Sequence, residues 1–120
     1  AQAAVAETDV EAYLRANWAF HNAIYRARGE TLLTSIIESL WARMGPYIRV
    51  AASDTRHFDA AMRAHRAILD ALRAGDAKTA RAALERDIAG AARDLALRLT
   101  DPSTRPRERS DATLTFAGAP

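Results

Sequence analysis

The chain has no cysteine. That single absence excludes disulfides, thiolate metal ligands and cysteine nucleophiles, so any metal must be held by nitrogen and oxygen. Aromatic residues are also scarce, at 7% of 120 residues. The hydrophobic share of 49% comes largely from Ala and Leu, which lose little side-chain entropy in a helix and so favour that state. No stretch approaches the roughly 18 consecutive apolar residues of a membrane span, and the opening Ala1 to Tyr13 lacks the basic-then-apolar order of a secretory signal. The expected compartment is therefore the cytoplasm, with no membrane partner. A formal net charge of only +2 gives no basic excess that would argue for nucleic-acid binding. What is present is a chain long enough for one domain with a core and too short for two comfortable ones.

Local signals divide the chain into helices. Thr8 with Glu11 three residues later makes a capping-box pattern, and Gly29 suits a left-handed helix stop, so the first helix is expected over about 9–28. A second should run from Glu30 through Leu32, Leu33, Ile36, Ile37, Leu40 and Trp41 towards Met44. There Gly45-Pro46 is expected to kink or break it, with Tyr47 to Ala52 continuing as a further helical segment. Ser53 or Asp54 can cap a third helix that Gly75 stops, and Asp76 caps a fourth reaching about Leu99. Residues 1–100 thus read as an all-α antiparallel helical bundle. Beyond Asp101-Pro102 the sequence turns to Ser, Thr, Pro, Arg and Gly, and 101–120 reads as an extended or disordered tail. Its Arg105, Arg107 and Arg109 read as solvated.

Polar residues interrupt the apolar stripes of these helices. On the first, Val10, Tyr13, Leu14, Asn17, Phe20, His21, Ile24 and Arg28 follow three-four spacing, which places Asn17 and His21 on the core face one turn apart. On the third, Phe58, Ala61, Met62, His65, Ile68, Leu69 and Leu72 form a stripe centred on His65. On the fourth, Ala80, Leu84, Asp87, Ile88, Ala91 and Leu95 carry Asp87 inward. A buried carboxylate costs several kcal/mol unless paired, and a buried imidazole wants both nitrogens satisfied. One shared metal ion would meet all these demands. So would a hydrogen-bonded network in which Asp87 accepts from His65 or His21. His57 lies off the His65 stripe and is expected to be exposed, while Trp18 and Trp41 read as ordinary packing aromatics.

The ordered pieces resemble a known family. Asn17-Trp18-Ala19-Phe20-His21-Asn22-Ala23-Ile24 is similar to its Asp-x-x-Phe-His-x-x-Ile, and Leu40 to Arg49 follows. Ala64-His65-Arg66-Ala67-Ile68 through Gly75-Asp76 is similar to Glu-His-x-x-Ile-x-x-Ala-Ile-x-x-Gly-Asp. The stretch Ala80 to Ile88 resembles a segment that usually carries His followed by Ile. The set resembles the C-terminal ligand-sensing domain, the FCD domain, of FadR-branch GntR transcription regulators. The resemblance implies that His21 and His65, with the positions of Asn17 and Asp87, bind a divalent metal against which a small organic acid sits. Two ligands differ, because Asn17 stands for the usual Asp and Asp87 for the usual last His. Zinc, nickel and manganese all remain open, as does a site that holds no metal. The resemblance further implies a homodimer, and contact with DNA only through an N-terminal winged helix that is missing here together with the family domain's first helices.

The first functional reading is accordingly a binding module rather than an enzyme: an effector-sensing domain whose occupancy changes how two DNA-binding domains are spaced. Arg43, Tyr47 and Arg49 are the expected holders of an anionic effector, since Arg offers a carboxylate a two-pronged fork. An alternative is a metal-dependent hydrolase or lyase, with His21, His65 and Asp87 holding an ion that keeps a position open for water. It has no evident general base, and Asp59 or Glu85 would have to serve. A structural helical dimer without ligand is the third reading.

Overall fold

The computed structural model describes residues 7–104. Its elements in order are α1 (Glu7–Tyr25), α2 (Leu32–Ala52), α3 (Thr55–Arg73) and α4 (Ala77–Leu99), followed by a short 3-10 turn at Pro102–Thr104. No strand occurs among the described residues, and the all-α expectation is met. The remainder of the expected tail, 105–120, lies outside the described residues.

Three of the four helix starts or stops show why these segments are helical. At α2 a reciprocal pair replaces the expected start at Glu30: Thr34 N–H donates to Thr31 Oγ1 at 3.3 Å, and Thr31 N–H donates to Thr34 Oγ1 at 2.9 Å. Of the two candidates before α3, Asp54 is the cap, accepting from Arg56 N–H at 2.9 Å. Asp76 caps α4 by accepting from Thr79 N–H at 3.0 Å. These bonds satisfy donors that no preceding turn can serve. Thr8, by contrast, lies inside α1, which starts at Glu7, so it is not that helix's cap; its side chain lies outside the described residues.

Two expectations need correction. First, α1 ends at Tyr25, earlier than 28, and the chain turns through 26–28 to Gly29, whose φ of 89° is the left-handed conformation foreseen there. Second, α2 is continuous through Gly45-Pro46. Proline removes one bond of the ladder and crowds the preceding turn, a penalty of about 3 kcal/mol. The helix bears it because the turn beyond is anchored by Ala51 and Ala52, both essentially inaccessible to solvent.

The four helices run antiparallel in succession. Ion pairs from Arg49 to Glu11 and from Arg26 to Glu38 join opposite ends of α1 and α2, and α3 folds back on α4. The third lies beside the first, with Tyr13 edge-on to Phe58 at 5.2 Å between ring centroids. Val10, Tyr13 and Ala52 form a core cluster against Leu14, Phe58, Ala61 and Met62. Towards the α3–α4 turn the buried residues are Ile68, Ala71, Ala80 and Ala83, and the three alanines let the two helix backbones approach closely. Not every stripe residue is inside: Leu72, Ile88 and Arg28 are exposed, as are Leu32, Leu33, Ile36 and Leu40 on α2. Periodicity gives the apolar face but not its neighbour: Leu40 and Ile88 line the cavity among the helices, and the others remain exposed.

The α3–α4 turn sets the register on which the site depends. Gly75 N–H donates to the Leu72 carbonyl at 3.1 Å and Asp76 N–H to the Ala71 carbonyl at 3.0 Å, the paired closure of a helix whose next residue is left-handed. Gly75 holds φ at 69° with nothing within 4 Å of where a Cβ would sit. Its replacement therefore meets backbone strain alone. Gly75→Ala should destabilise the domain by about 1 kcal/mol, read as a fall of several degrees in Tm by circular dichroism without loss of helical signal.

Candidate functional site

His21 on α1, His65 on α3 and Asp87 on α4 meet at one point. His21 Nε2 lies 3.2 Å from Asp87 Oδ2 and 3.2 Å from His65 Nε2, and His65 Nε2 lies 3.5 Å from the same Oδ2. His65 and Asp87 sit mid-helix and His21 one turn from the end of α1, each on the face that periodicity assigned to it. The α3–α4 hairpin brings His65 and Asp87 to the same height, and α1 lies alongside. Asn17, one turn before His21, is buried and lines the same cavity. The cavity occupies about 860 Å³ between α2 and the other three helices, with Ile37, Trp41, Met44 and Ile48 as its apolar wall on α2.

The triangle of donors fits an ion. Three corners of a tetrahedron whose bonds are roughly 2.0–2.1 Å lie about 3.3 Å apart, and the observed edges are 3.2, 3.2 and 3.5 Å. Two imidazoles and one carboxylate are also a donor set suited to borderline cations such as zinc. His21, His65 and Asp87 could therefore hold a metal ion. The same distances serve hydrogen bonds from the imidazoles to the carboxylate, so the cluster is satisfied with or without an ion.

Around the triad an aromatic shell lowers the local polarity. Phe20 lies against the His65 ring at 4.7 Å between centroids and Trp41 against His21 at 5.3 Å. Tyr25, one turn beyond His21, places its hydroxyl 3.3 Å from His21 Nδ1. Burial raises the Tyr13 phenol to about 12, helped by the negative charge of Asp87. For Asp87 burial is again the largest influence and raises the carboxyl, but hydrogen bonds from His21 and His65 together with their charges outweigh it and hold the group down at about 2. Sequence reading did not place Tyr25 in the site, although its spacing four residues after His21 was a usable signal.

The anticipated effector residues lie elsewhere. Arg43, Tyr47 and Arg49 do not line the cavity: Arg43 is exposed, Tyr47 is half-buried, and Arg49 is engaged by Glu11. The helical rotation that turns Trp41, Met44 and Ile48 inward carries these three away. The cationic side chains of the cavity are instead Arg56, Arg86 and Arg98. His57, expected to be exposed, is nearly buried and bonds Asp94 Oδ2 at 2.7 Å. Arg98 joins it, reaching Asp94 at 3.0 Å and Asp54 at 2.9 Å, and so ties the start of α3 to the end of α4. The signal was available, because His57 precedes His65 by eight residues and shares its face.

Acid sensitivity follows from Asp87. Its carboxyl is lower in the folded protein than its ordinary value of 3.8, so it contributes stability that is fully present above that value and lost as pH falls towards 2. A shift of nearly two units corresponds to roughly 2 kcal/mol. In chelator-treated protein the loss of Tm between pH 4 and pH 2 should be visibly shallower in Asp87→Asn than in the parent chain; identical acid limbs would refute the pairing.

A family model for the FCD domain matches residues 1–90. No curated protein and no solved structure matches the chain. With three quarters of its length matched, and with inward His, His and Asp on three helices of an all-α bundle, the chain belongs to the FCD domain family, the ligand-sensing regulatory domains of GntR-type transcription regulators.

Proposed function

We propose that this domain senses a small organic acid that sits in the central cavity against a divalent metal held by His21, His65 and Asp87. The observation that carries the reading is the donor triangle itself, which lines a cavity of about 860 Å³ and has edges suited to an ion. Asn17 contributes a neutral side chain beside it, a poorer ligand than the usual carboxylate. The bound ion would supply positive charge and an open coordination position for an acid oxygen.

The protein supplies the remainder. Ile37, Trp41, Met44 and Ile48 give the acid an apolar wall, and exclusion of water there strengthens each charge interaction. Arg86 lines the cavity beside Asp87 and makes no ion pair with any described residue, so its guanidinium is available to a second anionic or hydroxyl group. Effector binding then matters to regulation only through a difference in affinity between two arrangements of the regulator. A homodimer in the cytoplasm whose DNA contact is made by a separate winged-helix domain is the setting in which such a difference would be read.

The hydrolytic alternative is weaker. Asp59 and Glu85, its required bases, are exposed and outside the cavity lining. The cavity's other carboxylates, Asp54 and Asp94, are already engaged by Arg98 and, for Asp94, by His57. The domain is accordingly read as a non-catalytic sensor.

Zinc, nickel or manganese added to chelator-treated protein should raise Tm, by an amount set by the ratio of ion concentration to Kd. The rise should vanish in His65→Ala. With the ion present, simple carboxylic acids should raise Tm further, and Arg86→Gln should diminish that second increment only. A Tm indifferent to all three ions would sink the metal reading, and ester or amide turnover lost in His21→Ala would replace the sensor with an enzyme.

A further inference from the structure

The charges at the start of α3 and the end of α4 balance one another, and one nitrogen is left over. His57 Nδ1 lies 2.7 Å from Asp94 Oδ2, while Arg98 donates to both Asp94 and Asp54. An ionised carboxylate can only accept, so Nδ1 carries the ring proton, and in the neutral imidazole Nε2 then holds the lone pair. Nε2 has no partner among the described residues, yet no buried side-chain nitrogen or oxygen there lacks one. Nε2 is therefore accessible, although only 10% of the side chain is exposed, and the space that His57 lines is the central cavity.

This gives the cavity a second polar pole on the helices that carry the triad. His57 precedes His65 by eight residues on α3, about 12 Å along the helix axis. Between the poles the lining is small and apolar, with Ala60 and Ala64 on α3 and Gly90 and Ala91 on α4. A Cβ built on Gly90 would meet nothing within 4 Å, so there is room beside it. A ligand that reaches both poles must carry an apolar body across this stretch. With about 2 Å taken by a metal–oxygen bond and about 3 Å by a hydrogen bond, its two polar ends stand roughly 7 Å apart.

We propose that His57 Nε2 is the far subsite of the effector pocket and accepts a hydrogen bond from a hydroxyl that the acid carries beyond its apolar body. The proposal rests on the metal-and-acid reading above for the near end but not for the far one. A second carboxylate suits this pole poorly, because Asp54 and Asp94 already occupy it and Arg56 and Arg98 already face them. An ammonium would lose its hydration beside a cluster with no net charge to offset the loss. A hydroxyl needs only the lone pair.

Phenol and its methyl ether, anisole, test the far pole without acid or metal. In the full chain, freed of metal by chelator at neutral pH, nitrogen NMR of the His57 ring should show a proton on Nδ1 and none on Nε2. Phenol should move the Nε2 signal, and anisole, which has no O–H, should not. A proton on Nε2, or a signal that ignores phenol, overturns the proposal. Calorimetry on the zinc-loaded chain then joins the two poles: 4-hydroxyphenylacetate should bind about fivefold tighter than phenylacetate, the weight of one hydrogen bond. In His57→Phe, which keeps a ring but no acceptor, that advantage should vanish while phenylacetate binds as before. Equal affinities in the parent, or both acids weakened alike in the variant, would reduce His57 to a brace between α3 and α4. Tighter binding of 4-carboxyphenylacetate than of the hydroxy acid would show that the pole takes an anion, and the proposal fails. Should phenol move Nε2 while neither acid binds the zinc-loaded chain, the metal reading fails and the far pole stands. The parent-chain measurements decide the matter even if the variant does not fold.

Discussion

The buried carboxylate of Asp87 is the constraint around which this bundle is arranged. Unpaired, it would be several kcal/mol too costly for an interior so lined with apolar side chains. Two imidazoles, contributed by helices on either side, make it tolerable and hold it ionised, as its carboxyl at about 2 records. Each imidazole is in turn placed by helix geometry, since His21 and His65 sit on the stripes that pack α1 beside α3. The same contacts that close the core therefore bring the polar groups together. Loss of the register between α3 and α4, which Gly75 and Asp76 define, would separate His65 from Asp87 before it disrupted much apolar contact.

Around this centre the structure separates two kinds of polar work. The inner cluster of His21, His65 and Asp87 can be satisfied either by a bound cation or by the hydrogen bonds it makes itself. The outer cluster of His57, Asp94, Arg98 and Asp54 is balanced already, with each charge facing an opposite one. The first is suited to receive a ligand and the second to hold α3 and α4 at a fixed spacing while it does so. Between them run alanines and a glycine of α3 and α4, whose small side chains leave room for the cavity.

Departure from the ligand pattern that the resemblance implies has a physical meaning in this setting. Asp87 in place of an imidazole, with Asn17 in place of a carboxylate, keeps one negative charge at the site but moves it from α1 to α4. There it faces both imidazoles at once, which strengthens the hydrogen-bonded arrangement that competes with an ion. Aromatic neighbours close in on the same side, with the Tyr25 hydroxyl 3.3 Å from the far nitrogen of His21 and Trp41 packed against its ring. Family membership thus describes the fold and the regulatory class, while the balance between ion and hydrogen bond belongs to these particular side chains.

Much of this was legible in residue order. Helix termini at Asp54, Gly75 and Asp76 follow from capping chemistry, which is local, and the inward aim of Asn17, His21, His65 and Asp87 follows from three-four spacing. Ordered motifs were enough to identify the family. Pro46 does not break α2, because tertiary contacts anchor the next turn. Arg43, Tyr47 and Arg49 were singled out by residue type, whereas helical rotation sets them outside the cavity lining. Periodicity states which face of a helix is apolar, but neither the height at which another helix crosses it nor whether any helix does. The sequence alone therefore determined four helices and the inward polar residues on three of them. Tertiary structure alone decided that His21, His65 and Asp87 share one point, that Trp41 packs against it, and that Arg86 rather than Arg43 lines the cavity, because each depends on register between segments far apart in the chain.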